Sequence, residues 1–125
     1  MIRGIHHIAI KCVDQEQYDR TLAFYRDTLG LPECLKWEAG VMLDTGAGRL
    51  EIFPTGGDER GQGVLRHIAF DVTDTDACIE KVRAKGYSVT VEPKDVTIST
   101  LRARIAFCIG PVGEEVEFFQ VKGNA

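Results

Sequence analysis

The chain has little of what marks a membrane, secreted or nucleic-acid-binding protein. Its 125 residues contain no apolar run long enough to span a bilayer, and no signal-peptide pattern opens them. The formal net charge is −4, so no excess of basic residues speaks for nucleic acid or an anionic membrane surface as partner. The four cysteines stand at positions 12, 34, 78 and 108 with no CxxC among them. Those spacings argue against a zinc–thiolate site, and most of the four sit in apolar runs. They read as buried reduced thiols, and the expected location is the cytoplasm. Histidine is scarcer still: there are three, of which His6 and His7 are adjacent.

What is present is ordinary for a globular chain, with 44% hydrophobic and 27% charged residues. This length predicts one compact domain with a real core. Residues 4–12 alternate and read as a strand. Asp14 then caps a helix, with Gln17 three residues on as in a capping box. Tyr18, Leu22, Tyr25 and Leu29 line one face of it, and Gly30 ends it. "PECLKW", "GVMLDT" and "RLEIFP", in residues 32–54, are three short strands. "TGGDERGQG", residues 55–63, is a polar, glycine-rich connection.

After that connection the order repeats. Residues 66–73 read as a strand, and Asp74 caps a helix carrying Ala77, Ile79 and Val82 that stops at Gly86. Strands follow near 87–92, 101–109 and 114–121. The halves also match in letters: "HIAIKCVD" begins at His7 and "HIAFDVTD" at His67. Later in each half a glutamate stands in an apolar strand, Glu51 in "LEIF" and Glu117 in "VEFF". An internal duplication is the economical explanation. The expected modules span about 1–56 and about 64–123 of a single domain.

Strand alternation sorts the chemistry-bearing residues by face. His6, Ile8, Ile10 and Cys12 share one side of the first strand, which assigns His6 to the core. His7 falls on the other side with Ala9 and Lys11. His67, Ala69 and Asp71 repeat this away from the core. Glu51 points out beside Arg49 and Phe53, and Glu117 lies with Glu115 and Phe119. Two histidines and two glutamates thus occupy the non-core face at matching places. Such a set suits a divalent cation of borderline to hard character.

The segments "HHIAIKCVD", "TLAFYRDTLGL", "RLEIF", "RHIAFDV" and "IAFCIGPVGEEVEFF" together resemble the vicinal oxygen chelate superfamily, and within it glyoxalase I (lactoylglutathione lyase). The resemblance covers nearly the whole chain. It implies an α+β fold of two βαβββ modules closing a U-shaped mixed sheet around one metal. It implies that His7, Glu51, His67 and Glu117 are the ligands of a nickel, cobalt or zinc ion. A homodimer with metal sites at the subunit interface is implied too.

The implied reaction isomerises the hemithioacetal of a 2-oxoaldehyde, such as methylglyoxal, and a thiol through an enediolate. A carboxylate moves the proton between neighbouring carbons. The reading places Glu117 as that base with Glu51 as its partner, and the sequence does not separate the two firmly. Lys11, Arg102 and Arg104 are candidates to meet an anionic small-molecule substrate. Lys11 stands where a bacterial glyoxalase I carries an arginine near glutathione, and Thr55 where it carries an asparagine. "GPVG" at 110–113 replaces the frequent "DPDG" turn. These departures leave the metal ligands alone and put glutathione as the thiol in question.

The same superfamily offers rivals: a methylmalonyl-CoA-type epimerase, a fosfomycin-type thiol transferase and a non-catalytic small-molecule binder. Glu51 tilts against the epimerase, which more often has glutamine there. An extradiol dioxygenase would be crowded by a fourth protein ligand. Bleomycin-type binders do not need the ligand set.

Overall fold

A computed structural model describes residues 5–57 and 67–124. The chain divides into two compact units, residues 1–62 and 63–125, each built in the order strand, helix, strand, strand, strand. The polar connection beyond Gly57 lies outside the described residues.

In the first unit β1 (His7–Lys11) leads into α1 (Gln15–Leu22). Both halves of the cap read from the sequence are made. Asp14 Oδ1 accepts from the Gln17 amide at 2.8 Å, and Gln17 Oε1 accepts from the Val13 amide at 2.9 Å. These satisfy amides that the helix itself leaves without partners. Asp14→Ala is expected to cost about 1 kcal/mol, read as a lower urea midpoint at unchanged slope.

The helix does not stop at Leu22. It widens into a π-helix, Ala23–Thr28, whose closing bond runs from the Leu29 amide to the Phe24 carbonyl at 2.9 Å. Widening the turn shifts the side chains around the axis. Thr21, Leu22, Phe24, Tyr25 and Thr28 are therefore all buried, a broader stripe than the expected one through Tyr18, Leu22, Tyr25 and Leu29. Gly30, at φ +79°, ends the helix in the left-handed region as expected.

Three strands complete the unit: β2 (Glu33–Trp37), β3 (Gly40–Asp44) and β4 (Arg49–Phe53). The sheet order is β1-β4-β3-β2, with β1 parallel to β4 and the other pairs antiparallel. Val41, Leu43, Leu50 and Ile52 are at most 2% exposed and form the core under α1.

The second unit repeats the plan with β5 (His67–Asp71), α2 (Thr75–Ala84), β6 (Val89–Ile98), β7 (Leu101–Ile109) and β8 (Glu115–Asn124), in the order β5-β8-β7-β6. Asp74 caps α2 by accepting from the Ala77 amide at 3.0 Å. Ala77 itself is exposed, and Thr75 takes the buried place beside Ile79 and Val82. Thr75 sits there because its hydroxyl donates to the Arg104 carbonyl at 2.8 Å and its amide to Gln120 Oε1 at 3.1 Å. β6 runs past the expected residue 92 to Ile98, paired with β7 to the tip.

Two burial assignments are corrected. His6 is exposed, because burial falls along β1 from buried Cys12 and Ile10 through half-buried Ile8 to nothing at His6. None of the four cysteines is in a disulfide, but Cys34 is exposed and only Cys12 and Cys108 are buried. Burial pushes the Cys108 thiol up to about 12.

Candidate metal centre

Register decides which side chains meet. In the first unit Ala9 is opposite Glu51, and His7 is opposite Arg49. In the second Ala69 is opposite Glu117, and His67 is opposite Glu115. Each histidine therefore stands one alternation away from a glutamate on the same face of a parallel strand pair. His7 Nε2 lies 3.4 Å from Glu51 Oε1, and His67 Nε2 lies 3.3 Å from Glu117 Oε1. Both histidine side chains are 39% exposed, and the glutamates 13% and 10%. The two pairs are copies of one construction.

The geometry fits a shared divalent ion. Two donors bonded to one ion at about 2.1 Å stand about 3.0 Å apart at a right angle and about 3.4 Å apart at a tetrahedral one. Imidazole nitrogen with carboxylate oxygen is a donor set for a borderline to hard cation. Among the described residues no three or more histidine, cysteine, aspartate or glutamate side chains come together; the four predicted ligands stand as two pairs, one per unit.

The surroundings of the pairs differ. His7 Nδ1 lies 2.9 Å from His6 Nδ1, with the rings edge to face. One proton serves that bond, and the ring that donates it keeps a bare Nε2. His6, unassigned to any function by its sequence parity, is thus the neighbour that holds His7. His67 instead packs edge to face with Phe107 at 5.4 Å between ring centres, and Phe107 is opposite Glu117. Burial holds the Glu117 carboxyl above the ordinary carboxylate range, with His67 pulling partly the other way.

Of the substrate candidates, Lys11 stands on the same face as His7, with Nζ 5.6 Å from the centre of the Phe53 ring. Arg102 and Arg104 do not. They alternate along β7 with Ala103, Ile105 and Phe107, so they lie on the face of β7 opposite to Glu117. Arg104 is bound to Asp76 of α2 at 2.9 Å and to Asp95 of β6 at 3.2 Å. With Asp95, Thr97 and Lys122 the two arginines line an open hollow of ≈ 620 Å³ that includes neither histidine–glutamate pair. A run of alternating arginines carries no mark of which face it occupies, and only the pairing of β7 with β8 shows it.

Two mixed sheets of β-α-β-β-β units, each with a histidine on its first strand and a glutamate on its last, define the class of scaffold. The sequence signature of the Glyoxalase/Bleomycin resistance protein/Dioxygenase superfamily matches residues 4–118, and the chain belongs to that superfamily. Its proteins commonly bind a divalent metal, typically act on small molecules and often form dimers. The chain is 33% identical over 105 residues to the uncharacterized protein YwkD of Bacillus subtilis (strain 168), across 74% of this chain and 78% of that one. It is similar to the crystal structure of SMU.1112c at TM-score 0.77 and 25% identity, covering 95% of this chain and 99% of that one. It shares its fold with a lactoylglutathione lyase from Agrobacterium tumefaciens at TM-score 0.68 and 21% identity, over 96% and 95% of the two chains. No helix among the described residues is long and apolar enough to cross a membrane.

Proposed function

We propose that the protein is a divalent-metal-dependent lyase of the glyoxalase I type, isomerising the hemithioacetal of a 2-oxoaldehyde and a thiol. The observation that carries this reading is the duplicated histidine–glutamate pair, 3.4 Å in one unit and 3.3 Å in the other. His7, Glu51, His67 and Glu117 would hold one ion, nickel, cobalt or zinc, in a homodimer in the cytoplasm. Bound there, the ion supplies Lewis-acid stabilisation of the negative charge that develops on two neighbouring substrate oxygens.

The chain's own residues do the rest. Glu117 takes the proton from the carbon between oxygen and sulfur and returns it to the neighbouring carbon. Its burial favours this, since a carboxylate poorly solvated by water is a stronger base. Glu51 is its partner beside His7. His6 holds the His7 ring with Nε2 toward Glu51. Lys11 meets negative charge on the substrate. Arg102 and Arg104 are left out, because their face is not that of Glu117.

The test is an assay of nickel-, cobalt- and zinc-loaded protein with methylglyoxal and glutathione, following thioester formation. Turnover with at least one metal is expected. No turnover with glutathione but turnover with another thiol moves the assignment to that thiol. No turnover with any metal or thiol overturns the lyase reading in favour of the epimerase.

A further inference from the structure

The face that carries His7 and Glu51 continues past them into an aromatic cluster. Phe53 follows Glu51 by two residues on β4 and so shares its face, and Lys11 of β1 is opposite Phe53. Trp37 of β2 meets Phe53 edge to face at 5.9 Å between ring centres. Gly40 of β3 lets the two rings meet. A Cβ there would stand 2.8 Å from the Ile52 carbonyl oxygen and 3.2 Å from both Phe53 Cδ1 and Trp37 Cζ2. Trp37 and Phe53 are both half-buried, so neither is wholly enclosed.

Lys11 is held in place as well. Its ammonium stands 5.6 Å from the Phe53 ring centre, and Gly56, at φ +97°, passes close to its stem. A Cβ at Gly56 would meet Lys11 Cδ at 3.1 Å, and one at Gly57 would meet the Lys11 carbonyl oxygen at 2.6 Å. The Gly57 amide donates to the Cys12 carbonyl at 3.1 Å, which ties this stretch down beside β1.

The second unit is the internal control. Where the first places Lys11 opposite Phe53 and Arg49 opposite His7, the second places Asp71 opposite Phe119 and Glu115 opposite His67. The scaffold is the same and the charges are inverted. The strand neighbour of Phe119 on β7 is Ile105, so no glycine opens a place for a second ring there. Among the described residues, the strand partners on that face are the cations Arg49 and Lys11 in the first unit and the carboxylates Glu115 and Asp71 in the second, and the Trp37–Phe53 ring pair stands beside Lys11.

We propose that Lys11, Phe53 and Trp37 form a subsite for a carboxylate carried on an aromatic or similarly planar group, the non-reacting end of the substrate. The planar group packs against the exposed part of the Trp37–Phe53 pair, and the carboxylate meets the Lys11 ammonium. This deepens the reading above and rests on it for where the reacting end sits. It names a substrate class distinct from a long flexible thiol peptide without an aromatic ring.

Trp37 is the one tryptophan of the chain, so its indole N–H gives a single reporter signal. In metal-free protein with chelator present, phenylacetate is expected to shift the Trp37 indole cross-peak of a ¹H–¹⁵N spectrum saturably. Phenethylamine, with the same ring and opposite charge, is expected to leave it in place. Lys11→Met is expected to weaken phenylacetate binding about tenfold, the loss of one exposed charge-assisted contact. Asp71→Asn, in the second unit, should leave it unchanged. Lys11 is exposed, so its replacement keeps the fold, and an unchanged spectrum away from the site verifies this. An unmoved cross-peak, an equal response to phenethylamine, or undiminished binding in Lys11→Met overturns the proposal. The measurement is made without metal, so this failure leaves the metal reading standing. Loss of the metal reading, in turn, does not touch this result.

Discussion

Glu117→Gln is expected to lower kcat/KM of the metal-loaded protein by about 10²- to 10⁴-fold, the usual worth of a positioned acid–base group. The amide is nearly isosteric and fills the same 8% exposed site, so the fold is retained. Glu51→Gln is expected to act more on metal affinity than on kcat, because Glu51 is the more open of the two carboxylates, at 13% against 10% of side-chain area, beside His7. If Glu51→Gln abolishes turnover while Glu117→Gln retains it, the two roles are exchanged.

The same substitution has a thermodynamic signature in metal-free protein. Burial raises the Glu117 pKa above its ordinary 4.5, so the folded state holds a proton that the unfolded state has released. Unfolding then releases a proton, and stability falls as pH rises from the unfolded value through the folded one. Glu117→Gln removes that fall. Urea midpoints from about pH 4 to about pH 8 should therefore show the variant gaining on the parent as pH rises. Parallel curves would show that Glu117 does not titrate above its ordinary range.

Removing a proposed metal ligand is the second large effect. The parent protein is expected to bind nickel, cobalt or zinc stoichiometrically and to melt higher for it, by about 2.7 kcal/mol of added stability at a hundred times Kd. His67→Ala and His7→Ala should each weaken binding by more than the about 100-fold that loss of an outer-shell partner reaches. His6→Ala should weaken it by about tenfold, because it removes the partner of His7 Nδ1 and leaves Nε2 in place. Metal analysis after dialysis, with titration calorimetry, reads all three. If the parent binds no divalent metal, or if His67→Ala leaves metal content unchanged, the lyase, epimerase and dioxygenase readings all fall together.

Much of this site was legible in the sequence because it was written twice. "HIAIKCVD" and "HIAFDVTD" carry the strand, the histidine position and the capping aspartate within eight residues. Alternation then separates His7 from His6, and Glu51 from Leu50 and Ile52, by stereochemistry alone. The caps at Asp14 and Asp74 were readable for the same reason, since each acts on an amide three residues away. Membership of the superfamily follows from such local marks.

What alternation cannot carry is how far burial extends and which strand lies opposite. His6 has the parity of a core residue and is exposed, because the core covers only the Cys12 end of β1. Arg102 and Arg104 have the spacing of residues on one face, and the β7–β8 register puts that face away from Glu117. The π-helix replaces a regular turn at Ala23–Thr28 and buries Phe24, which the helical period left aside.

The aromatic cluster is the plainest case. Lys11, Trp37, Gly40 and Phe53 come from four different strands, and only Trp37 and Gly40, partners across one hairpin, are near in sequence. The chain by itself determined two copies of one module and a histidine and a glutamate on the open side of each, because these follow from backbone geometry within a few residues. Tertiary structure decided that Glu51 falls within reach of His7, and Glu117 of His67. It decided too that Lys11 stands beside Phe53 and Trp37, because strand pairing brings together residues that the sequence holds apart.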